Sequence, residues 1–329
     1  LSYSNSSDLA GFTDAGLDWF IDDKEPLHIN RVRALLGRLS RPDHARLVEL
    51  VAQELSDRQS RGFGSIPIHT QMLRVQLEEL LRLKPDLLLV DAFVHAYLAS
   101  LQPGPDVDWQ ADAKASEAFL DRQWAFLKDL SPRFNPLKAH VLYHRLDHDR
   151  RLGLKDKARF IEYLKLPRQV SYINSEYLKR FTHDARPFSL GQNYKNVTLH
   201  STVSADEELV RDYLAYFFVE AADFKAYEEL LSDYFLREVF ATTKMLHGLG
   251  DMEQWFSMLN NPSYCLQLKE RVEIGFASTN PTYFRATDAV QLDVDIKNVS
   301  TLTVKVFEIN ALNYFLANRR DIDTSIDLD

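Results

Sequence analysis

Residues Phe134 to Leu152 read FNPLKAHVLYHRLDHDRRL and hold three of the chain's ten histidines, His140, His144 and His148. Asn135 and Pro136 predict a helix start, because asparagine caps free N–H groups and proline is tolerated in the first turn. Gly153 predicts the stop. Each residue advances about 100° around the axis. Leu137, Val141, His144 and His148 therefore share one face, and Leu142, Tyr143 and Leu146 cover much of the opposite side. His140 sits at the edge of the first face, near Asp147 and Arg151. A helix that is apolar on two sides is sandwiched between neighbours, so this stretch predicts a helical protein built around a central helix.

Histidines at helical spacing also suggest metal. Imidazoles at i and i+4 hold one zinc ion in the H-E-x-x-H helix. Here Val141 stands where that motif has its glutamate base. His140 and His148 lie about 12 Å apart along the axis at 1.5 Å per residue, too far to share one ion. A zinc, manganese or iron site would use one adjacent pair of His140, His144 and His148 with a carboxylate from elsewhere. The competing reading packs His144 and His148 between helices, each hydrogen-bonded to a neighbour, with His140 near water. A pH-sensitive contact is a third reading, since an imidazole titrates near neutrality.

Working outward, the chain of 329 residues is long enough for two domains. Hydrophobic residues make up 45% and charged residues 26%, as in ordinary globular proteins. The formal net charge of -9 argues against nucleic acid as the main partner, because phosphate backbones reward clustered Lys and Arg. Cys265 is the only cysteine, so an intrachain disulfide is excluded. No apolar run approaches the roughly 20 residues of a membrane helix, which predicts no membrane insertion. Leu1 in place of Met, with no basic-then-apolar leader, predicts a processed or excised chain.

Before the central helix the pattern is helix, short turn, helix. The polar start, with Phe12, Trp19 and Phe20, predicts an arm laid over the next helices. Helices follow at about 26–39, after a Ser40 cap, and at about 66–83, 87–101 and 111–130. Arg61-Gly62-Phe63-Gly64-Ser65 predicts a turn with Ser65 as N-cap rather than a phosphate cradle, since it has neither a Walker lysine nor a preceding strand. A shorter helix runs from about 156 to 164. No fixed-period repeat emerges, so the fold predicted is mainly α, an irregular helical bundle or solenoid of antiparallel helix pairs.

The segment 168–204 breaks the pattern, with one short helix at about 176–181. Its cations Arg168, Lys179, Arg180, Arg186 and Lys195 read as solvated. Helices resume at 205, and aromatics from Tyr213 to Phe240 recur at helical spacing. That predicts a packed core, with a peptide-binding aromatic groove as the alternative. Short helices are expected at 251–259 and 262–269.

From Arg271 the period changes to two. Val290, Leu292, Val294 and Ile296 share one face, Asn298-Val299-Ser300 turns the chain, and Leu302 to Val306 alternates again. This predicts a half-buried antiparallel hairpin, a small β element at the C-terminal end. The run Asp321 to Asp329 partly matches a calcium loop but puts Ile326 where glycine is needed. It predicts a polar strand face or tail, with more polypeptide to follow. The division expected is therefore a helical domain at 1–167, a connecting segment at 168–204, a second helical part at 205–270 and a β hairpin or partial β-sandwich at 271–329.

The stretch QLDVDIKNVSTLTVKVFEIN, within about Tyr283 to Asn310, resembles strand pairs in the macroglobulin-type β-sandwiches of the bacterial α2-macroglobulin family. The family's Cys-Gly-Glu-Gln thioester is absent, since Leu266, Gln267 and Leu268 follow Cys265. The resemblance implies a module of a large, multidomain, extracytoplasmic bacterial protein, with no reactive residue carried over.

The sequence carries no G-x-S-x-G, Walker loop, dinucleotide fingerprint or C-x-x-C pair. The function expected is a non-enzymatic structural or protein-interaction module of a larger protein. Its partners would be proteins or other domains of the same polypeptide. The alternatives are a metal-dependent hydrolase using a His140, His144, His148 pair and a helical peptide-binding scaffold.

Overall fold

A computed structural model describes residue 16, residues 27–259 and, between 263 and 320, all but 264–266, 268–269, 278 and 282–283. The predicted N-terminal arm, Cys265, most of the helix at 262–269 and the acidic run 321–329 lie outside the described residues. What is described is mainly helical, with one small antiparallel sheet near the C-terminal end.

The first helices are α1 (Ile29–Arg38), α2 (Leu47–Ser56), α3 (Arg74–Leu83) and α4 (Asp91–Ser100). They enclose an apolar cluster that includes Leu36, Val51, Leu80 and Phe93. The helix expected at 66–83 is two pieces, a 3-10 turn at Pro67–Gln71 and then α3. Gln76 explains the break. Its side-chain oxygen accepts from the Leu73 N–H at 2.9 Å, and its amide donates to the Pro42 carbonyl at 2.6 Å. Those bonds start a new helix at Leu73 and tie it to the preceding loop. Ser65 does not cap. Its hydroxyl donates to the Gly62 carbonyl, while His69 Nδ1 accepts from the Gly64 N–H. Gly64 sits at φ +92, and a Cβ there would lie 2.7 Å from Ala92 Cβ, so the turn requires glycine.

The middle layer is α5 (Ala113–Leu127), α6 (Asn135–Arg151) and α7 (Lys157–Leu164). Asp112 caps α5 through the Lys114 and Ala115 N–H groups, and Asp156 caps α7 through that of Arg159. α6 is the sandwiched helix its pattern predicts. Leu137 and Val141 join a cluster with Val94, Leu98, Leu120 and Leu127. Ala139, Leu142 and Leu146 face a second cluster with Phe160 and Tyr163. Each fully buried leucine contributes about 1.5–3 kcal/mol. Arg145 binds Glu117, Asp121 and Asp149 at 2.6–2.9 Å, which links α5 to α6, and Asp149 also binds Arg159 on α7.

Two four-residue helices, α8 (Ser175–Leu178) and α9 (Lys195–Thr198), lie in the segment 168–204. Beyond it come α10 (Glu207–Phe218), α11 (Asp233–Leu246) and α12 (Met252–Met258). The aromatics of this region are core. Tyr213, Phe218, Tyr227, Phe235 and Phe240 are buried in the cluster that also takes Tyr172, Ile173, Tyr177 and Phe188 from the connecting segment. Tyr216 and Tyr234 are exposed.

The sheet differs from the expected hairpin. β1 (Glu273–Phe276) pairs antiparallel with β2 (Val294–Lys297), and Leu302 to Val306 lies outside any strand. Side chains close this ladder at both ends. Asn298, left-handed at φ +55, donates to the Arg271 carbonyl at 2.9 Å. Asn280 donates to the Asp293 carbonyl and accepts from the Asp293 N–H, both at 2.7 Å. Asn298 thus ties the end of β2 to the start of β1, and residues 302–306 are not paired with β2. The ribbon is also exposed on its apolar side rather than half-buried. A last helix, α13 (Ala311–Asn318), follows.

Candidate functional site

The segment 168–204 crosses α6 as a strap, and side chains that the sequence presented separately hold it there. Arg168, expected in solvent, is fully buried. Its Nη1 lies 2.7 Å from Asp206 Oδ2, which also accepts from the Tyr163 hydroxyl at 2.7 Å. The guanidinium lies 3.9 Å from the Tyr163 ring centre. Burial opposes the charge on Arg168, but Tyr163, Tyr172 and Asp206 around it more than offset this and raise its pKa. Burial likewise raises the Tyr163 hydroxyl well above its ordinary range. Asp206 precedes α10, so this ion pair fixes one end of the strap to the start of that helix.

The other end is held by imidazoles. His140 Nε2 lies 3.0 Å from Thr198 Oγ1, and His144 Nε2 lies 2.8 Å from the Ser201 carbonyl. His200, on the strap, lies 2.9 Å from Gln123 Oε1, while Gln123 donates to the Thr198 carbonyl at 3.1 Å. The acceptors decide the tautomers. A carbonyl accepts only, so His144 carries its proton on Nε2. The Thr198 hydroxyl donates to the Tyr194 carbonyl, so it accepts from His140 Nε2. Gln123 spends its amide on Thr198, so its oxygen faces a His200 Nε2–H. All three are neutral N–H donors that staple the strap to α5 and α6.

The rings of His140 and His144 are 4.8 Å apart, and those of His144 and His200 stack at 4.8 Å. Burial, reinforced by the His144 charge, lowers His140 to about 3. Burial, then the His144 and His140 charges, lowers His200 to about 2. Burial also lowers His144, against the Ser201 bond. His148 is turned away from this group. Its Nε2 donates to the Ala113 carbonyl at 3.0 Å, and its Nδ1 accepts from Arg145. The structure therefore brings His140 and His144 together with His200, which the sequence did not single out, and separates His148. Among the described residues no group of three or more His, Cys, Asp or Glu side chains is arranged to hold a metal ion. A metal at His144 would have to use Nδ1 or displace the Ser201 carbonyl.

Different stretches of the strap border two clefts. One of about 1070 Å³ is lined by Asp91, His95, Arg133, His183, Arg186 and Tyr194, among others. Arg133 bridges Asp91 at 3.0 Å on its wall, and His183 holds a left-handed φ of +50 at its rim. The second, of about 510 Å³, lies beside His144, His148, His200, Trp109, Arg151 and Lys195. Leu199, at φ +62 between two bonded neighbours, also lines it. Strained backbone of this kind persists where surrounding bonds over-determine it. No helix of the described residues is long and apolar enough to cross a membrane.

The described residues thus form a mainly helical body with a pinned connecting segment and two open clefts. The chain belongs to the actin-binding protein F N-terminal domain family, whose model matches residues 1–272. It is 29% identical over 279 residues to Actin-binding protein F of Dictyostelium discoideum, a match covering 84% of this chain and 12% of that protein. The chain thus spans a small part of the length of that curated relative. No solved structure matches it. The resemblance to macroglobulin-type strands is overturned, because the family lies elsewhere and residues 294–297 pair with 273–276 rather than with 302–306. The bacterial and extracytoplasmic setting that rested on that resemblance falls with it, the relative being a eukaryotic protein named for binding actin.

Proposed function

We propose that this chain is a protein-interaction domain of an actin-associated cytoplasmic protein, and that its partner docks on the face where the strap crosses α6. The observation that carries the reading is the family match over residues 1–272. Three features of the face support it. The strap is held by buried bonds at both ends, so the clefts beside it are preformed and docking there costs little ordering entropy. The larger cleft is of a size for a segment of polypeptide. Its lining mixes charged, aromatic and amide side chains, as interface surfaces do.

Co-sedimentation with actin filaments tests this. The chain should pellet with filaments at micromolar concentration, and Arg186→Glu, on the exposed lining of the larger cleft, should weaken binding about tenfold. A chain that stays in the supernatant removes actin as the partner. The length of the relative favours a second reading, in which the partner is another part of the same polypeptide. Binding of full-length protein to filaments without binding by this domain would support that reading.

A further inference from the structure

Residues Lys179 to Arg186 of the strap read KRFTHDAR. Thr182 has a basic side chain at both the second and the third position before it, Arg180 and Lys179. No other serine or threonine of the chain has that arrangement. Within 179–186 only Phe181 and Ala185 are half-buried, and the rest, Thr182 included, are exposed.

The local backbone presents this threonine. α8 ends at Leu178 with Lys179 as its cap, and a 3-10 turn spans His183–Ala185. Thr182 lies between them in an extended conformation, φ -135 and ψ 165, and its hydroxyl does not cap the turn. His183 follows at a left-handed φ of +50, so the chain bends directly after Thr182. The two cations before it are loosely held. Lys179 pairs with Glu176 at 2.6 Å and Arg180 with Glu229, and all four side chains are more than half exposed. Exposed pairs of this kind contribute at most about 1 kcal/mol, so a carboxylate-lined groove can take over both cations at little cost.

We infer that Thr182 is a phosphorylation site for a serine/threonine kinase that selects basic residues before its acceptor. Such a kinase reads Lys179 and Arg180 through charge-assisted bonds to its own carboxylates. Thr182 Oγ then attacks the γ-phosphorus of magnesium-bound ATP. A new O–P bond forms as the bond from that phosphorus to the bridging oxygen of ADP breaks, and ADP leaves with the electron pair. The Thr182 proton passes to the kinase's catalytic aspartate. The product carries about 1.5 to 2 negative charges at pH 7. His183, Asp184 and Arg186 line the larger cleft, so that charge stands at its rim. Its consequence for docking rests on the reading of that cleft given above, whereas the modification itself does not.

Phosphate incorporation into the folded chain, followed by mass spectrometry, is the test. The probe is the catalytic subunit of cyclic-AMP-dependent protein kinase with magnesium and ATP. One phosphoryl group per chain is expected, mapped to Thr182. Thr182→Ala should abolish it and Thr182→Ser should retain it. Arg180→Ala should slow it at least about tenfold, because one of the two recognised charges is gone. Unchanged thermal midpoints show that these exposed replacements leave the fold intact. Absent incorporation, phosphate mapped to another residue such as Ser189, or an Arg180→Ala rate equal to that of the wild type would each overturn the assignment. The assay contains no actin, so its failure and the failure of filament binding are read separately.

Discussion

Arg168 Nη1 lies 2.7 Å from Asp206 Oδ2, and the two side chains are 0% and 1% exposed. The pair joins the connecting segment to the start of α10, and the Tyr163 hydroxyl donates to the same Oδ2. Removing one partner leaves a buried charge uncompensated. Asp206→Ala is therefore expected to destabilise the fold by about 3–5 kcal/mol. The double replacement Arg168→Met with Asp206→Leu should cost markedly less, because no charge is stranded. Urea unfolding of both variants checks the difference.

The histidine group gives stability a definite pH dependence. His140 and His200 titrate near 3 and 2 in the folded chain, His144 is also lowered, and an unfolded histidine titrates near 6.5. Below about 6.5 the unfolded chain binds more protons than the folded one, so stability is greatest above that pH and falls as pH drops. The loss between pH 7 and pH 5 should be about 2 kcal/mol for each of His140 and His200, with His144 contributing in the same direction. Replacing His200 with Gln should remove one share of that slope, read from unfolding midpoints across the pH range.

The three imidazoles are also where bound metal would be found. We expect purified protein to carry no stoichiometric zinc, manganese or iron, because the Nε2 atoms already donate to Thr198, Ser201 and Gln123. His144→Ala should then cost about 1 kcal/mol for the lost bond to Ser201. Elemental analysis of the two proteins decides. Stoichiometric metal that vanishes with His144→Ala would sink this assignment and favour a His140–His144 or His144–His200 metal site.

Gly62 and Gly64 are both left-handed, at φ +84 and φ +92, but only Gly64 meets a neighbour. Gly62→Ala should cost about 1 kcal/mol from backbone strain alone. Gly64→Ala adds a clash with Ala92 and should cost at least about 2 kcal/mol. Thermal unfolding of the two variants tests the ordering.

Some of this architecture was open to reading from the residues. The two apolar sides of α6 predicted a sandwiched helix, and its two clusters lie on those sides. The aromatic spacing from Tyr213 to Phe240 predicted a core, and most of those rings are buried. The break within 66–83 carries a local signal, Gln76 three residues after Leu73, and a distant one, its bond to Pro42, 34 positions away, which periodicity alone does not reveal. Arg168 reads as solvated from sequence because nothing beside it announces Asp206, 38 positions on. His200 carried no local signal, since its partners come from α5 and α6.

By itself the sequence determined most of the longer helices, the helical class, the central place of α6 and the alternation at 290–297, because periodicity is a property of neighbouring residues. Only the tertiary structure decided which strand β2 pairs with, that a buried arginine anchors the connecting segment, and that three histidines from two distant stretches form one cluster. Those outcomes depend on pairings spanning 18 to 77 positions. Such partners are chosen by how the helices pack, and packing is settled by the whole chain at once.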